Sequence, residues 1–254
     1  MRVNVEAIYE PPQIGEKDGY QALEDPGRVN ADLVAGALGL ERVGHMFTTL
    51  NKEKVPLTSS EYRRAAAHQQ EHLVDHPDGY KVSKFLTVRV EQKETEEIEI
   101  ECYMVSDQCQ ALERDNVLGD STDPKKAVIR EPKRDEAMPA VLQEGAPVKE
   151  FEPSFFLVNL SSGMPNENNT QFNVLKRADY PVKNRFEKQQ TQQDLKLFLQ
   201  SSKGMKANER FANFQVLLHL ADMLGVETAI TMAQCVAAEL PPDGALVELV
   251  ESLC

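Results

Sequence analysis

The chain opens with alternating apolar and polar positions, a pattern typical of a half-buried β-strand. The predicted inner face of this strand carries Val3, Val5, Ala7 and Tyr9. The alternation ends at Pro11-Pro12, because proline has no backbone N–H for a strand ladder. A helix is predicted next, since Asp25-Pro26 is a typical helix start and apolar residues recur at helical spacing up to Gly39.

A second β-prone run, residues 42–50, follows this helix and predicts a strand. Thr58 and Glu61 then form a capping-box pattern, in which each side chain satisfies a backbone N–H of the other at a helix start. The predicted helix runs to about Leu73, and its packing face carries Tyr62, Ala65, Ala66, Gln69 and Leu73.

Two further strand-like runs, residues 82–90 and 98–104, are joined by an acidic connection and predict a β-hairpin. Ser106 is a typical N-cap for a helix that continues to about Val117, with Cys109 facing inward. The first 118 residues therefore predict a mixed sheet with flanking helices.

Proline residues punctuate the charged segment 119–150, which predicts a linker or an elaborated loop. We place domain boundaries at its two ends, so that the predicted domains are residues 1–118 and residues 151–254. The second domain begins with two predicted strands, residues 155–160 and 172–175. The predicted helices after them begin at Thr191-x-x-Asp194 and cover residues 208–224, 227–239 and 245–253. The predicted fold class is α+β, with a smaller, mainly helical second domain.

Charge and composition narrow the choice of partners. The chain has 41 acidic and 28 basic residues, a net charge of -13, and no dense basic stripe, which argues against a nucleic-acid partner. The longest apolar-rich run, residues 211–224, is too short for a bilayer and contains His219 and Asp222, so we expect no direct membrane insertion. Four cysteines without a Cys-x-x-Cys pair predict free thiols in an intracellular protein.

One motif carries possible metal chemistry. His68 and His72 share a helix face at i, i+4, and Glu71 could act as a general base, which together match an inverted zinc-protease motif. Such a site needs a third ligand, usually a downstream acid, and no residue here marks one. The alternative interpretation is a solvated polar face of the helix, which we favour.

Other enzyme classes have less support. The sequence contains no Gly-x-Ser-x-Gly elbow, Gly-x-Gly-x-x-Gly loop or Walker loop. Cys102 and Cys109 fall in predicted core elements, where a structural thiol is the simpler interpretation. His45 and His219 lie among apolar residues and are interpreted as hydrogen-bonded packing histidines.

Several segments, in the same order along the chain, resemble the C-terminal half of the nuclear protein localization protein 4 family, the ubiquitin-binding cofactor of the valosin-containing AAA unfoldase. One segment is Tyr180-Pro181-Val182-Lys183-Asn184-Arg185, which stands in the place of a Phe-Pro-Ile-Glu-Asn-Arg signature. The others are residues 5–13, 39–48, 83–87, 103–109 and 213–218. The shared order across nearly the whole chain is more specific than any one motif.

This resemblance implies an MPN domain, the fold of the JAMM deubiquitinases, followed by the family's C-terminal domain. Active MPN enzymes carry His-x-His-Pro after a Val-Gly strand and Ser-x-x-Asp on the next helix. Aligned on Val43-Gly44, the two histidine positions fall on Phe47 and Thr49. Aligned on Ser59, the aspartate position falls on Tyr62. These four positions, Phe47, Thr49, Ser59 and Tyr62, are therefore expected to form a vacated metal pocket with no zinc, no cofactor and no catalysis.

The resemblance further implies a truncated MPN domain in residues 1–118, lacking its first strand, which could leave an open sheet edge. It implies ubiquitin or polyubiquitin and the ubiquitin fusion degradation cofactor as partners, and indirect docking on the valosin-containing AAA unfoldase. It also implies a location in cytoplasm and nucleus, with recruitment to the endoplasmic reticulum surface. Two alternatives stay open: a zinc hydrolase, either JAMM-like or built on His68, Glu71 and His72, and an interaction domain without a ubiquitin role.

Overall fold

The computed structural model describes residues 2–16, 19–49, 55–93, 95–163, 180–185 and 188–253. The α-helices are α1 Arg28–Ala37, α2 Ser59–Glu71, α3 Asp107–Arg114, α4 Gln192–Ser201, α5 Ala207–Arg210, α6 Phe214–Leu224, α7 Val226–Ala237 and α8 Gly244–Ser252. The strands are β1 Gln13–Glu16, β2 Gly19–Ala22, β3 Gly44–Thr49, β4 Leu73–Asp75, β5 Lys81–Ser83, β6 Leu86–Gln92, β7 Ile98–Val105, β8 Leu118–Gly119, β9 Ala127–Ile129, β10 Leu142–Gln143, β11 Ala146–Pro147, β12 Glu150–Phe151 and β13 Leu157–Leu160. This mixture of helices and sheets confirms the predicted α+β class.

The chain divides into two compact units. The sheet unit is residues 43–163, and the helical unit combines residues 2–42 with the described residues from 180 onward. The predicted boundaries at residues 118 and 150 do not coincide with this division. The assignment of an MPN domain stays a prediction.

A four-stranded mixed sheet with the order β13-β7-β6-β3 forms the centre of the sheet unit. Strands β6 and β7 form the predicted antiparallel hairpin, and β13 also pairs with β7 in the antiparallel direction. Strand β3 runs parallel to β6, with Gly44 opposite Leu86 and Thr49 opposite Glu91. Leu50, predicted to continue this strand, lies outside the described residues.

Helix α2 begins as its sequence predicts. The Thr58 backbone N–H donates to the Glu61 carboxylate at 2.7 Å, and the Glu61 N–H donates to the Thr58 hydroxyl at 3.4 Å. The buried residues of α2 are Ser59, Tyr62, Ala65, Ala66 and Gln69, four of which were predicted. The helix ends two residues earlier than predicted, because Leu73–Asp75 pairs with Lys81–Ser83 as a short hairpin.

The proline-punctuated segment 119–150 belongs to the sheet unit. Strand β9 pairs with β8 on one side and with β12 on the other. The Ser59 N–H donates to the carbonyl of Pro124 at 2.7 Å, and Arg63 forms an ion pair with Asp120 at 2.6 Å. Backbone pairing therefore fixes a segment for which composition predicted a linker or an elaborated loop. Composition alone does not identify long-range pairing partners.

The helical unit has a core formed by α1, α4, α6, α7 and α8. Thr191 and Asp194 form the capping box predicted for α4. The helix predicted at residues 208–224 is divided into α5 and α6, and the Asn213 side chain starts α6 by accepting the N–H groups of Gln215 and Val216. Within the described ranges, no helix has both the length and the apolar character needed to cross a membrane. The predicted strand at residues 172–175 lies outside the described residues.

The N-terminal part of the helical unit differs from its prediction in two ways. Helix α1 starts at Arg28 with Gly27 at its N-cap, while the predicted cap, Asp25, accepts the Gly27 N–H at 3.1 Å. Residues 3–9 form no strand, although Ala7 and Tyr9 pack against the core as the alternation predicts. The predicted inner face thus holds for Ala7 and Tyr9, whereas Val5 is 47% exposed. The pattern also did not identify the groups that satisfy the backbone.

Helix α2 is joined to the sheet by one buried amide, and this contact gives a first prediction. Gln69, 1% exposed, accepts the Val105 N–H at 2.7 Å and donates to the Val105 carbonyl at 3.1 Å. Replacing Gln69→Met keeps the helix propensity but removes the side-chain acceptor of the buried Val105 N–H and one of two amide donors to its carbonyl, the other being Gln110 at 3.4 Å, so we expect a loss of about 1–3 kcal/mol. Urea denaturation measures it. The neighbouring control Gln70→Met, whose amide bonds only to the Gln110 side chain, should cost less than about 1 kcal/mol. Equal losses would contradict this assignment.

Candidate functional site

The candidate site lies between β3 and α2, where the family resemblance places a vacated metal pocket. Phe47 is 7% exposed and lies opposite Arg89 in the parallel pair, and half-buried Thr49 lies opposite Glu91. Alternate residues of a strand share a face, so both side chains point the same way as His45. His45 contacts His68 of α2 at 5.1 Å between ring centroids. This face of β3 is therefore turned toward α2.

On α2, Ser59 and Tyr62 are buried on the same side as Gln69, whose amide bonds to the sheet. The Tyr62 hydroxyl is one of the buried polar atoms without a hydrogen-bond partner among the described residues. Burial raises the pKa of Tyr62 to about 12, with smaller contributions from Cys109, Glu152 and Glu61. The phenol is thus protonated at neutral pH and is a poor metal ligand. The role of these four positions as a former metal pocket stays a prediction.

A buried arginine lies beside Phe47, and sequence reasoning missed it. Arg89 is 5% exposed and forms ion pairs with Glu91 and, at 3.1 Å, with Glu101. Burial raises the pKa of the adjacent Tyr103 well above its usual value. The available signal was an arginine in the middle of a β-prone run, flanked by two valines and two residues from a glutamate on the same face. Its second partner, on β7, could be identified only from the hairpin register.

Three histidines form a stack with two phenylalanines in the sheet unit. His45 stacks on Phe47 at 5.5 Å, and His68 contacts both His45 and Phe85. His72 stacks on Phe85 at 4.0 Å. His68 and His72 are therefore half-buried in ring contacts, whereas the Glu71 side chain is 59% exposed, so the predicted solvated face holds for Glu71 and not for the two rings.

The Nδ1 atoms of His68 and His72 have partners on the same helix. The Nδ1 atom of His72 lies 2.8 Å from the His68 carbonyl, and the Nδ1 atom of His68 lies 3.4 Å from the Glu71 carboxylate. Over the residues that the structure describes, no group of three or more histidine, cysteine, aspartate or glutamate side chains is placed to hold a metal ion. The predicted trio of His68, Glu71 and His72 is therefore arranged for packing and helix contacts.

Burial keeps two histidines of the stack neutral. It lowers the pKa of His45 to about 4, with smaller contributions from the neighbouring His68 and Arg64. Burial also lowers the pKa of His68, although the Glu71 carboxylate opposes the shift. The imidazoles of His45 and His68 are therefore uncharged at neutral pH. Neutral rings can pack against phenylalanine without the cost of burying a charge.

The remaining residues that the sequence singled out are structural. Cys102, Cys109 and Cys235 are free thiols, and burial raises the pKa of Cys109 to about 12, which removes thiolate character. His219 is buried and bonds through Nδ1 to the Tyr180 hydroxyl. The interpretation of His45 and His219 as packing residues agrees with their contacts. Cys254 lies outside the described residues.

Comparison with known proteins identifies the family. The model of the NPL4 family matches residues 1–252. The chain belongs to the NPL4 family. This membership confirms the resemblance predicted from the sequence.

Relatives in this family come from distant organisms. The nuclear protein localization protein 4 homolog of Homo sapiens is 28% identical over 249 residues, which cover 87% of this chain and 41% of that protein. Nuclear protein localization protein 4 of Saccharomyces cerevisiae is 31% identical over 255 residues, covering 85% and 44%. The Caenorhabditis elegans homolog 1 is 30% identical over 259 residues, covering 87% and 48%. The chain thus spans less than half the length of these NPL4 relatives.

The donor chemistry of the site predicts the outcome of restoring one ligand. Thr49→His adds an imidazole, but Phe47 has no donor atom and Tyr62 stays protonated, so we expect no tight zinc binding. Titration against a chromophoric chelator measures it, with the wild-type chain as the control. Stoichiometric, tight zinc in Thr49→His would show that the assignment of these positions is wrong.

The histidine stack predicts a pH dependence of stability. The folded pKa of His45, about 4, is below its unfolded value of about 6.5, so the unfolded state binds more protons between these values. The stabilisation is complete above about pH 6.5 and is lost as the pH falls toward 4, by an amount on the order of 3 kcal/mol. Urea denaturation at pH 7.0 and 4.5 measures this loss.

Replacing His45→Phe keeps a ring in the stack and removes the titrating group. We expect this variant to lose clearly less stability than the wild type between pH 7.0 and 4.5. His76→Phe, in the turn between β4 and β5, is the matched control and should behave as the wild type does. An unchanged pH dependence in His45→Phe would mean that His45 is not the responsible group.

Proposed function

We propose that this chain is a non-catalytic adaptor, which binds ubiquitin or ubiquitylated substrate together with a partner cofactor. It delivers them to the valosin-containing AAA unfoldase in ubiquitin-dependent degradation. Family membership over residues 1–252 supports the class of protein. The observation that carries the non-catalytic part is the chemistry between β3 and α2, where Phe47 and protonated Tyr62 take the aligned ligand positions.

The charged groups beside this position are already paired. Arg89 lies opposite Phe47 in the parallel pair, on the same face of the sheet. Its guanidinium forms ion pairs with Glu91 and Glu101, so these two carboxylates are held by an arginine. Without zinc, a water molecule keeps its pKa of about 15.7, whereas zinc-bound water has a pKa of about 7, so the site supplies no nucleophile for peptide hydrolysis.

The zinc-hydrolase alternative has less geometric support. It needs imidazole nitrogens turned outward to a common metal, whereas the Nδ1 atom of His72 is bonded to the main chain of its own helix. The rings of His68 and His72 are also on Phe85, which fixes their planes for packing. A third ligand that approached these histidines from solvent would have to displace the Phe85 ring.

The opposite face of the sheet offers a surface for protein binding. Side chains there alternate with those that face α2, and several are apolar and exposed: Met46, Ile98, Ile100 and Val158, between 40% and 70%. Large exposed apolar patches mark protein interaction sites. The β6–β7 connection beside them is acidic, which suits a partner with a basic rim. We place the ubiquitin-binding surface here.

The remaining parts of the proposal follow the family. The sheet unit would contain the MPN-type sheet, and the ubiquitin fusion degradation cofactor would be the second partner. Contact with the unfoldase would be indirect for this chain. A net charge of -13 disfavours nucleic acid. The proposed location is cytoplasm and nucleus, with recruitment to the endoplasmic reticulum surface through partners.

Titration of the ¹⁵N-labelled chain with ubiquitin and with diubiquitin tests the proposal. We expect saturable amide shifts in the sheet unit and no cleavage of diubiquitin, with or without added zinc. Ile100→Lys should weaken binding at least tenfold, because it places an ammonium on the apolar face. The matched control is Leu197→Lys, an exposed leucine of α4, which should leave binding unchanged.

The possible outcomes separate the parts of this proposal. Absence of shifts at millimolar ubiquitin in a folded sample would reject ubiquitin binding by this chain. Cleavage of diubiquitin would reject the non-catalytic assignment. Binding that survives Ile100→Lys would reject the sheet face as its location.

A further inference from the structure

Residues 8–10, here called the tethered segment, lie in the helical unit with their backbone bound by side chains. The Gln215 side-chain amide donates to the Ile8 carbonyl at 2.9 Å, and the Asn184 amide donates to the Glu10 carbonyl at 2.8 Å. Carbonyls two residues apart point the same way in an extended chain. The two amides therefore bind the segment as the N–H groups of a neighbouring strand would.

The side chains of the tethered segment are recognised as well. The Tyr9 hydroxyl donates to Asp25 at 2.9 Å and accepts from Asn184 at 3.2 Å, while its ring packs on the helical core. Arg185 donates through Nε to both oxygens of the Glu10 carboxylate, at 3.1 and 3.0 Å. The contacts thus distinguish a tyrosine followed by an acid from other extended sequences.

The groups that bind the segment are held in place by contacts of their own. The Lys183 N–H donates to the Gln215 side-chain carbonyl at 2.9 Å, which orients its amide toward Ile8. The Lys183 ammonium forms an ion pair with Asp222 of α6 at 2.6 Å, and the Gln190 amide donates to the Pro181 carbonyl at 2.7 Å. These contacts do not involve the tethered segment, so they preorganise the surface for a ligand.

The backbone conformation at position 184 favours asparagine. Its φ of 67° lies in the left-handed region, which asparagine tolerates better than most residues. The same residue supplies two of the contacts to the segment. The loop conformation and the recognition of the segment therefore both depend on Asn184.

We propose that Asn184, Arg185 and Gln215 form a peptide-recognition site whose present occupant is the tethered segment. The site takes in trans an extended peptide in which a tyrosine is followed by a glutamate. The segment can leave because it has no strand ladder, its own Ile8 is about half exposed, and so is Val5 beside it. This inference concerns the helical unit and is independent of ubiquitin binding by the sheet unit.

The tethered segment competes with any free peptide for the site, so the test must weaken the segment's own binding. A tethered ligand acts at an effective concentration of roughly millimolar, so a free peptide binds the wild-type chain weakly. The probe is a fluorescein-labelled peptide with the sequence of residues 4–12, measured by anisotropy with the full chain. The double variant Tyr9→Ala with Glu10→Ala weakens the occupant, and we expect it to bind the probe at least tenfold more tightly than the wild type.

Further substitutions in the double variant locate the binding. Arg185→Ala should remove most of the gain, because the probe's glutamate loses its guanidinium. Asn184→Asp should do the same, since aspartate also tolerates positive φ but presents an acceptor to the probe's carbonyl. Lys196→Ala, on α4 and outside the contacts described, is the control and should keep the gain. Circular dichroism confirms that each variant is folded.

A single substitution covers the case in which the double variant does not fold. Glu10→Lys changes only the partly exposed ion pair with Arg185 and leaves the Tyr9 packing in place. We expect it to increase probe affinity several-fold, and Arg185→Glu should then bind a probe with lysine in the glutamate position. No gain in a folded variant, or a gain that Arg185→Ala does not reduce, would overturn the proposal.

Discussion

The buried carbonyl and N–H of Val105 set the requirement on which the sheet unit depends. A buried backbone group without a partner costs as much as several favourable contacts supply. Here the Gln69 amide accepts the N–H and donates to the carbonyl, which also accepts from the Gln110 amide. This contact joins α2 to β7 and thereby holds the candidate site against β3. Side-chain amides solve the same problem in the helical unit, where Gln215 and Asn184 accommodate an extended backbone. The two units differ in architecture but use one chemical device.

Local structure was largely predictable, because its causes lie within a few residues. The capping boxes of α2 and α4, the Ser106 cap of α3 and the β6–β7 hairpin all follow from adjacent side chains. Long-range pairing was not predictable. Residues 3–9 have the alternation of a strand but are bonded by side chains distant in sequence, and segment 119–150 is fixed by pairing that its proline-rich composition conceals.

The candidate site was predictable in residue type and not in geometry. Phe47 and Tyr62 could be recognised as poor metal ligands from their side chains alone, since neither offers a deprotonated donor at neutral pH. Arg89 could not be assigned, because its two carboxylate partners are brought together by strand register. The burial of His68 and His72 could not be predicted for a related reason. The rings that cover them, those of His45 and Phe85, lie before and after α2 in the sequence.

The helical unit is built from two separated parts of the chain, with the sheet unit encoded between them. During synthesis, the sheet unit can therefore complete its fold while helix α1 still lacks α6 and α7, against which Val34 and Leu38 are buried. About 200 residues separate these partners, and ribosomes add roughly 5–20 residues per second. The apolar side of α1 thus emerges some 10–40 s before its partners, an interval set by the order of the segments along the chain. During this interval a chaperone or the ribosome surface must shield it.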